Sequence, residues 1–345
     1  MSSWLTRSAL ALGTDASSLL GSLNRSWRPL KYDLDRRGLR EHADLVVERS
    51  MVDQSAITKM TLLPIAEKIS GPGIGEKGRW PWILMLGIRG GSRELGTQFC
   101  SICLKTDKNP YFRRCWRLAW HVTCARHSTR LLDSCTNCAS QIEPHRSRQI
   151  DNHIALCWQC NADLRLIDPN IDHSGAPHIQ LKLDRLLSDR KSIHRRSEEH
   201  VIFAYYSRLI SSLRRSNSAP TAANPLLEYL GETGTKLRGL DIRPVSFEML
   251  RTDDRYQLLN IAHEIRTIFR SMSANDRSRN IPSDLRRALT GIQPLQPGLQ
   301  EILVKKRASN RGFYASKSDV LPRPRCDVER IWRRLKMRAH AQRNK

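Results

Sequence analysis

Apolar positions near the amino terminus recur with the rhythm of short helices separated by capping residues. Ser3 can cap a helix from Trp4 to Leu12, Gly13 stops it, and Thr14 or Asp15 caps a second that runs through Leu23. Two longer helical patterns follow, LDRRGLREHADLVVERS at 34–50 and DQSAITKMTLLPIAEKI at 53–69, before the glycine-rich break SGPGIGEKG. This rhythm predicts a helix-turn-helix-like bundle. From Trp80 the pattern turns apolar and extended, WPWILMLGI, about half the length of a bilayer-spanning helix, so no membrane segment is expected. Beyond Asp168 helical periodicity returns in IQLKLDRLLSD and VIFAYYSRLISSLRRS, and SNSAPTAANP at 216–225 reads as a linker. A further helix begins at Asp253 or Asp254 and aligns Leu258, Ile261, Ala262, Ile265, Ile268 and Phe269 as a core stripe. The tail ERIWRRLKMRAHAQRNK is a basic amphipathic helix whose single acid is Glu329.

Cysteine spacing changes the picture in the middle of the chain. Cys100-x-x-Cys103, Cys124-x-x-His127, Cys135-x-x-Cys138 and Cys157-x-x-Cys160 are four knuckles, each able to bring two donors from one tight turn to a single ion. Two knuckles complete a tetrahedral site, so the four predict two structural zinc ions. Small strained loops argue against disulfides, and four regularly spaced pairs argue against a lone redox couple. The simplest pairing joins consecutive knuckles; a cross-braced pairing of the first with the third is the alternative. Cys115, His121, His145 and His153 read as packing or surface residues. A closed four-ligand site leaves no position for a reactive water, and the zinc-deaminase pattern is absent, so no catalytic residue is expected.

Charge then narrows the partner. The 345 residues carry 58 Lys and Arg against 34 Asp and Glu, a net +24. Guanidinium-rich surfaces of this kind grip phosphate, which makes DNA the expected partner. Interleaved basic and aromatic residues in YFRRCWRLAWHVT nominate Arg113, Arg114 and Arg117, and the tail nominates Arg333, Arg334, Lys336 and Arg338. The competing reading of the first three places the aromatics around a zinc core with the arginines on its rim. There is no Walker loop, and scattered carboxylates such as Asp133, Asp163 and Asp168 form no defensible metal triad. The opening MSSWLTRSALALG lacks a basic start and a continuous apolar core, so a cytoplasmic, nucleoid-associated location is expected rather than export.

The order of these motifs resembles the TniQ family of transposon target-selection adaptors. SSWLTRSALALG resembles the family's Ser-Trp-Leu-x-Arg opening. FCSICLKTDKNPYFRRCWRLAWHVTCARHSTRLLDSCTNC resembles its series of Cys-x-x-Cys-Leu, Pro-Tyr, Trp-Arg, Cys-x-x-His and Leu-Leu-Asp-x-Cys-x-x-Cys, and CWQC supplies the last knuckle. The resemblance covers about residues 1–165. It implies a non-catalytic adaptor that binds a target-defining element and recruits an AAA+ ATPase regulator of the TniB/TnsC type. For RNA-guided members it implies a CRISPR effector complex with its guide RNA, with self-association into a homodimer. The expected fold class is mainly α with small zinc-ribbon β elements: a helix-turn-helix-like part at 1–95, a double zinc-binding module at 96–168 and a basic helical domain at 169–345. A zinc-ribbon transcription regulator and a metal-dependent nuclease are the functional alternatives.

Overall fold

A computed structural model describes residues 1–24, 33–71, 73–75, 79–89, 92–94, 97–147, 153–169, 177–188, 196–218 and 246–271. The tail with Arg333, Arg334, Lys336 and Arg338 lies outside the described residues, as do linker positions 219–225. No described helix is long and apolar enough to cross a membrane.

The amino-terminal segment forms α1 (Ser2–Ala11), α2 (Ala16–Leu23), α3 (Leu34–Arg37), α4 (Ala43–Ser50), α5 (Gln54–Lys59) and α6 (Leu63–Ser70). Asp15 rather than Thr14 caps α2, accepting from Ser18 N at 2.9 Å. Ser3 does not cap α1; its Oγ accepts from Phe112 N at 2.9 Å and ties the helix to the cysteine-rich region. Both longer helical patterns are split. The first breaks at Gly38, whose φ of 63° lies in the left-handed region, and a short 3-10 turn at Arg40–His42 leads into α4. The second ends at Lys59 and restarts at α6, which carries a proline in its first turn where no intrahelical donor is needed. Met1, Leu5, Leu20, Leu34, Leu39, Val46 and Ile57 form the small core of this bundle.

Two three-residue strands, β1 (Gly87–Arg89) and β2 (Ser92–Glu94), pair antiparallel with Ile88 opposite Arg93. Next come α7 (Ser101–Thr106) and the knuckles, whose flanks pair only through isolated bridges such as Thr123 with Arg130, Ser134 with Gln141 and Leu156 with Asp163. The ribbon expected from sequence is therefore reduced to single bridges. The remainder is α8 (His178–Ser188), α9 (Arg196–Ser218) and α10 (Thr252–Ser271). The stripe anticipated on α10 is buried at Leu258, Ile261, Ala262, Ile265 and Phe269.

The largest apolar cluster joins α6 and the segments around Trp82 and Trp120 to the three helices that follow the metal centres. Leu62, Ala66 and Ile69 of α6, Trp80 to Leu84, Leu118 to Val122, Ile179 and Leu183 of α8, Phe203 to Leu213 of α9, and the α10 stripe share it. Trp82 sits at its centre, with edge-to-face contacts to Trp120, Phe203 and Phe247 at 6.1, 5.9 and 5.3 Å between centroids. Its φ of 65° is unusual for a bulky residue, and it is held by Trp82 N donating to Glu248 at 2.9 Å and by its indole donating to Phe203 O at 3.3 Å. Met1–Ile292 form one compact unit.

Candidate metal centres

Three of the four knuckles have one backbone design. In each, the residue after the second ligand takes a left-handed conformation: Ser128 at 50°, Ala139 at 57° and Asn161 at 59°. Its N–H returns to the carbonyl of the first cysteine at 2.9, 2.9 and 2.8 Å, so the chain closes a single turn and reverses. The first cysteine's own N–H then donates across the turn, Cys124 to Thr129 O at 2.7 Å, Cys135 to Ser140 O at 2.8 Å and Cys157 to Ala162 O at 2.9 Å. The Cys100 knuckle differs, opening a helix instead. Its sulfur accepts from Cys103 N at 3.4 Å at the start of α7.

The ligand atoms converge in two groups. Cys100, Cys103, Cys124 and His127 form one, Cys135, Cys138, Cys157 and Cys160 the other, with all atoms of each within 4.8 Å of one another. Consecutive knuckles are paired, and cross-bracing is excluded. A tetrahedral zinc with Zn–S bonds of ~2.3 Å and a Zn–N bond of ~2.0 Å requires S–S edges of about 3.8 Å and S–N edges of about 3.5 Å. In the first group Cys103 and Cys124 sulfurs are 3.6 Å apart, and His127 Nδ1 lies 3.5, 3.3 and 3.6 Å from the sulfurs of Cys100, Cys103 and Cys124. The Cys135–Cys160 and Cys138–Cys157 edges are both 3.7 Å. The donor sets thus fit two structural zinc ions in closed four-ligand sites. Burial pushes the Cys135 thiol up to about 12, and a coordinated cation would favour its thiolate.

Outer contacts complete both centres. The Thr129 hydroxyl lies 3.4 Å from the Cys100 sulfur, the Ser140 hydroxyl 3.1 and 3.3 Å from the sulfurs of Cys138 and Cys157, and Asn137 Nδ2 donates to Cys160 at 3.4 Å. Such donors orient thiolates and disperse their charge. Phe99, Leu104, Phe112, Trp116, Leu131, Ile142, Ile154 and Leu164 form the apolar cluster around the ligands.

The spare candidates stay outside both centres. His121 Nε2 meets Asp184 of α8 at 2.7 Å, His153 Nδ1 accepts from Ala155 N at 3.0 Å, and burial lowers His145 to about 4. Cys115 is half-buried and packs beside both larger clusters.

The three arginines nominated here as phosphate ligands have distinct surroundings. Arg117 is a correction: its side chain is 3% exposed, and its guanidinium meets Asp33 at 2.6 Å and Asp35 at 3.0 Å and donates to Leu84 O at 2.8 Å. A permanently charged group inside the fold requires carboxylates, and these two come from the turn entering α3. Asp35 also accepts from Ser2 N and Oγ at 2.7 Å each. Arg113 pairs with Asp107 at 2.7 Å and lies over the rings of Tyr111 and Trp116, while exposed Arg114 donates to the carbonyls of Lys59 and Thr61. Arg114 and Arg117 thus tie this segment to the amino-terminal helices, whereas the partners of Arg113 lie within the cysteine-rich region.

Several structural residues left no local signal in the sequence. Gln180 of α8 accepts from Val122 N and Thr123 N at 3.0 and 3.2 Å and donates to Thr123 O at 3.0 Å, clamping the segment that enters the second knuckle. Asp133, between the two centres, receives Thr252 N at 2.7 Å and so caps α10 from outside it. Arg255 is fully buried and donates to the carbonyls of Leu250 and Ala119 and to Gln98 and Thr252; burial lowers it to about 10.

No curated protein matches the chain. The TniQ family model matches residues 1–131, a stretch that contains α1 to α7 and the whole first ligand cluster and stops short of the second. Over these 131 residues the chain is therefore similar to the TniQ domain.

Proposed function

We propose that the protein is a non-catalytic, zinc-stabilised adaptor of transposition that docks on target DNA, or on a complex already bound there, and recruits an AAA+ regulator of the TniB/TnsC type. The observation that carries this reading is the TniQ domain at 1–131 closed around a four-ligand centre with no coordination position left for chemistry. A net charge of +24 favours a polyanionic partner. The amino-terminal helices would serve as the helix-turn-helix-like docking part, and an RNA-guided member would meet its CRISPR effector and guide RNA instead of reading bases itself. The test is to express the chain with its neighbouring genes and identify what co-purifies. Recovery of an AAA+ ATPase with DNA supports direct targeting, and recovery of a guide RNA with Cas proteins supports RNA-guided targeting. An isolated protein that retains neither ATPase nor nucleic acid at moderate salt refutes the adaptor reading.

A further inference from the structure

Two adjoining helices beyond the TniQ domain carry matched rows of basic residues that neither metal centre uses. On α8, His178, Lys182 and Arg185 follow at i, i+4 and i+7; on α10, His263, Arg266 and Arg270 follow at i, i+3 and i+7. Each set therefore lies along one helix face, with successive groups about 5–6 Å apart. The helices pack together, and the rings of His178 and His263 stack with centroids 4.3 Å apart and planes inclined by 21°. Further along, Lys182 lies within the fields of both Arg266 and Arg270, and its ammonium is 5.8 Å from the Tyr206 ring centroid. Arg266 is hydrogen-bonded to the Tyr205 hydroxyl of α9. His178, Arg185 and Arg270 are exposed, and Lys182, His263 and Arg266 are half-buried. Glu264 is the carboxylate acting on His263.

Gathering like charges is unfavourable for an isolated fold. Burial first, and then repulsion from the neighbouring guanidiniums of Arg266 and Arg270, lowers the Lys182 ammonium from its ordinary value. A polyanion lying across the stripe removes that repulsion. We propose that the paired faces of α8 and α10 bind the phosphodiester backbone of duplex DNA. The proposal rests on the DNA-docking part of the adaptor reading and adds to the amino-terminal helices a second phosphate-binding surface beyond residue 131. Four cations on packed helices about 8–10 Å apart, Lys182 and Arg185 on α8 and Arg266 and Arg270 on α10, suit a repeating polyanion. A protein partner is disfavoured because interface cores are built on apolar and aromatic anchors, and the exposed large hydrophobic residue within these helices is Leu181 alone among the described residues.

The test uses the full-length, zinc-loaded chain and a short duplex of arbitrary sequence, with affinity followed as a function of salt. The variant Lys182→Ala/Arg185→Ala/Arg270→Ala should flatten the log–log salt slope by about 2–3 and weaken binding about tenfold or more at 0.1 M salt. Its melting temperature and zinc content should match the parent. Arg185→Glu, a single change at an exposed position, should act in the same direction and keeps the test decisive if the triple variant misfolds. Variant slopes equal to that of a wild-type protein that does bind duplex overturn the stripe and leave the adaptor reading standing. Failure of the wild type to bind any nucleic acid overturns both. Preference of the stripe for single-stranded RNA, or loss of ATPase recruitment with an unchanged DNA slope, overturns the duplex assignment and gives the stripe to RNA or to protein respectively.

Discussion

At the scale of single residues, buried charge decides more than exposed charge. Arg117 is enclosed with Asp33 and Asp35, so removing it leaves Asp33 without its cation and Asp35 with the Met1 ammonium alone. Arg117→Met should cost about 3–5 kcal/mol in chemical denaturation, because the loss of one partner strands the others in a poorly solvated site. A loss below about 1 kcal/mol would show that the pair carries little of the fold. Although burial opposes its ionisation, the Asp35 carboxyl is held well below the usual range by the Met1 ammonium, by Arg117 and by Ser2, so this contribution is present above the ordinary carboxylate range and fades in strong acid. His121 has the opposite sign. Burial acts against its charge, but the hydrogen bonds to Asp184 and to Cys115 prevail and raise it to about 9. Its stabilisation is complete below the unfolded value of about 6.5 and is lost as pH rises through about 9. Wild-type stability should therefore decline by on the order of 3 kcal/mol across that window, and Asp184→Asn should flatten most of the decline; parallel curves for the two proteins would refute the assignment.

Element geometry explains why three different sequences make the same knuckle. Closing the turn needs a left-handed residue, and Ser128, Ala139 and Asn161 occupy it in place of glycine. Ala139→Gly should raise the melting temperature of the zinc-saturated protein by relieving about 0.5–1 kcal/mol of backbone strain, net of the added freedom of the unfolded chain. No change or a decrease would mean that the alanine methyl is needed for packing. Consecutive pairing gives a sharper expectation. Cys135→Ser and Cys157→Ser should each lose one of two zinc equivalents and the same one, so that combining them costs no further metal, while Cys100→Ser combined with either should abolish binding. Metal analysis of the purified variants checks this, and retention of two equivalents in either single variant would refute the ligand set.

For the whole molecule, the decisive feature is an apolar core shared across the segment boundaries that composition suggests. Trp82 and Trp120 pack on Phe203 of α9 and within one cluster with Leu258 and Ile261 of α10, and Arg255 of α10 reaches the Ala119 carbonyl at 2.6 Å. The domains expected at 96–168 and 169–345 therefore have side chains that need one another. A fragment of residues 1–169 should aggregate or bind a hydrophobic dye through the uncovered Trp82, Trp120 and Leu118, whereas 1–292 should unfold in one cooperative transition. A monomeric, cooperatively folded 1–169 fragment would show that the zinc module is self-sufficient.

What was readable from the chain alone follows from the range of the interactions involved. The eight ligands were legible because two donors separated by two residues are a local geometric device, complete within one turn. The stripe on α10 was legible because helical period and burial coincide over about three turns. The break of the 34–50 pattern at Gly38 was less so, since a single glycine inside a helical period is tolerated or not according to what packs around it. Which knuckles share an ion, which carboxylates take Arg117, and the capping of α10 by Asp133 involve partners 19 to 119 residues apart. Spacing carries no information at that distance, and only the packed core brings those groups within hydrogen-bonding or coordinating reach. Sequence by itself determined the donors, the helices and the excess of positive charge. Tertiary structure decided which of those charges are enclosed by carboxylates and which remain gathered on the surface, because burial makes an unpaired ion costly and solvent does not.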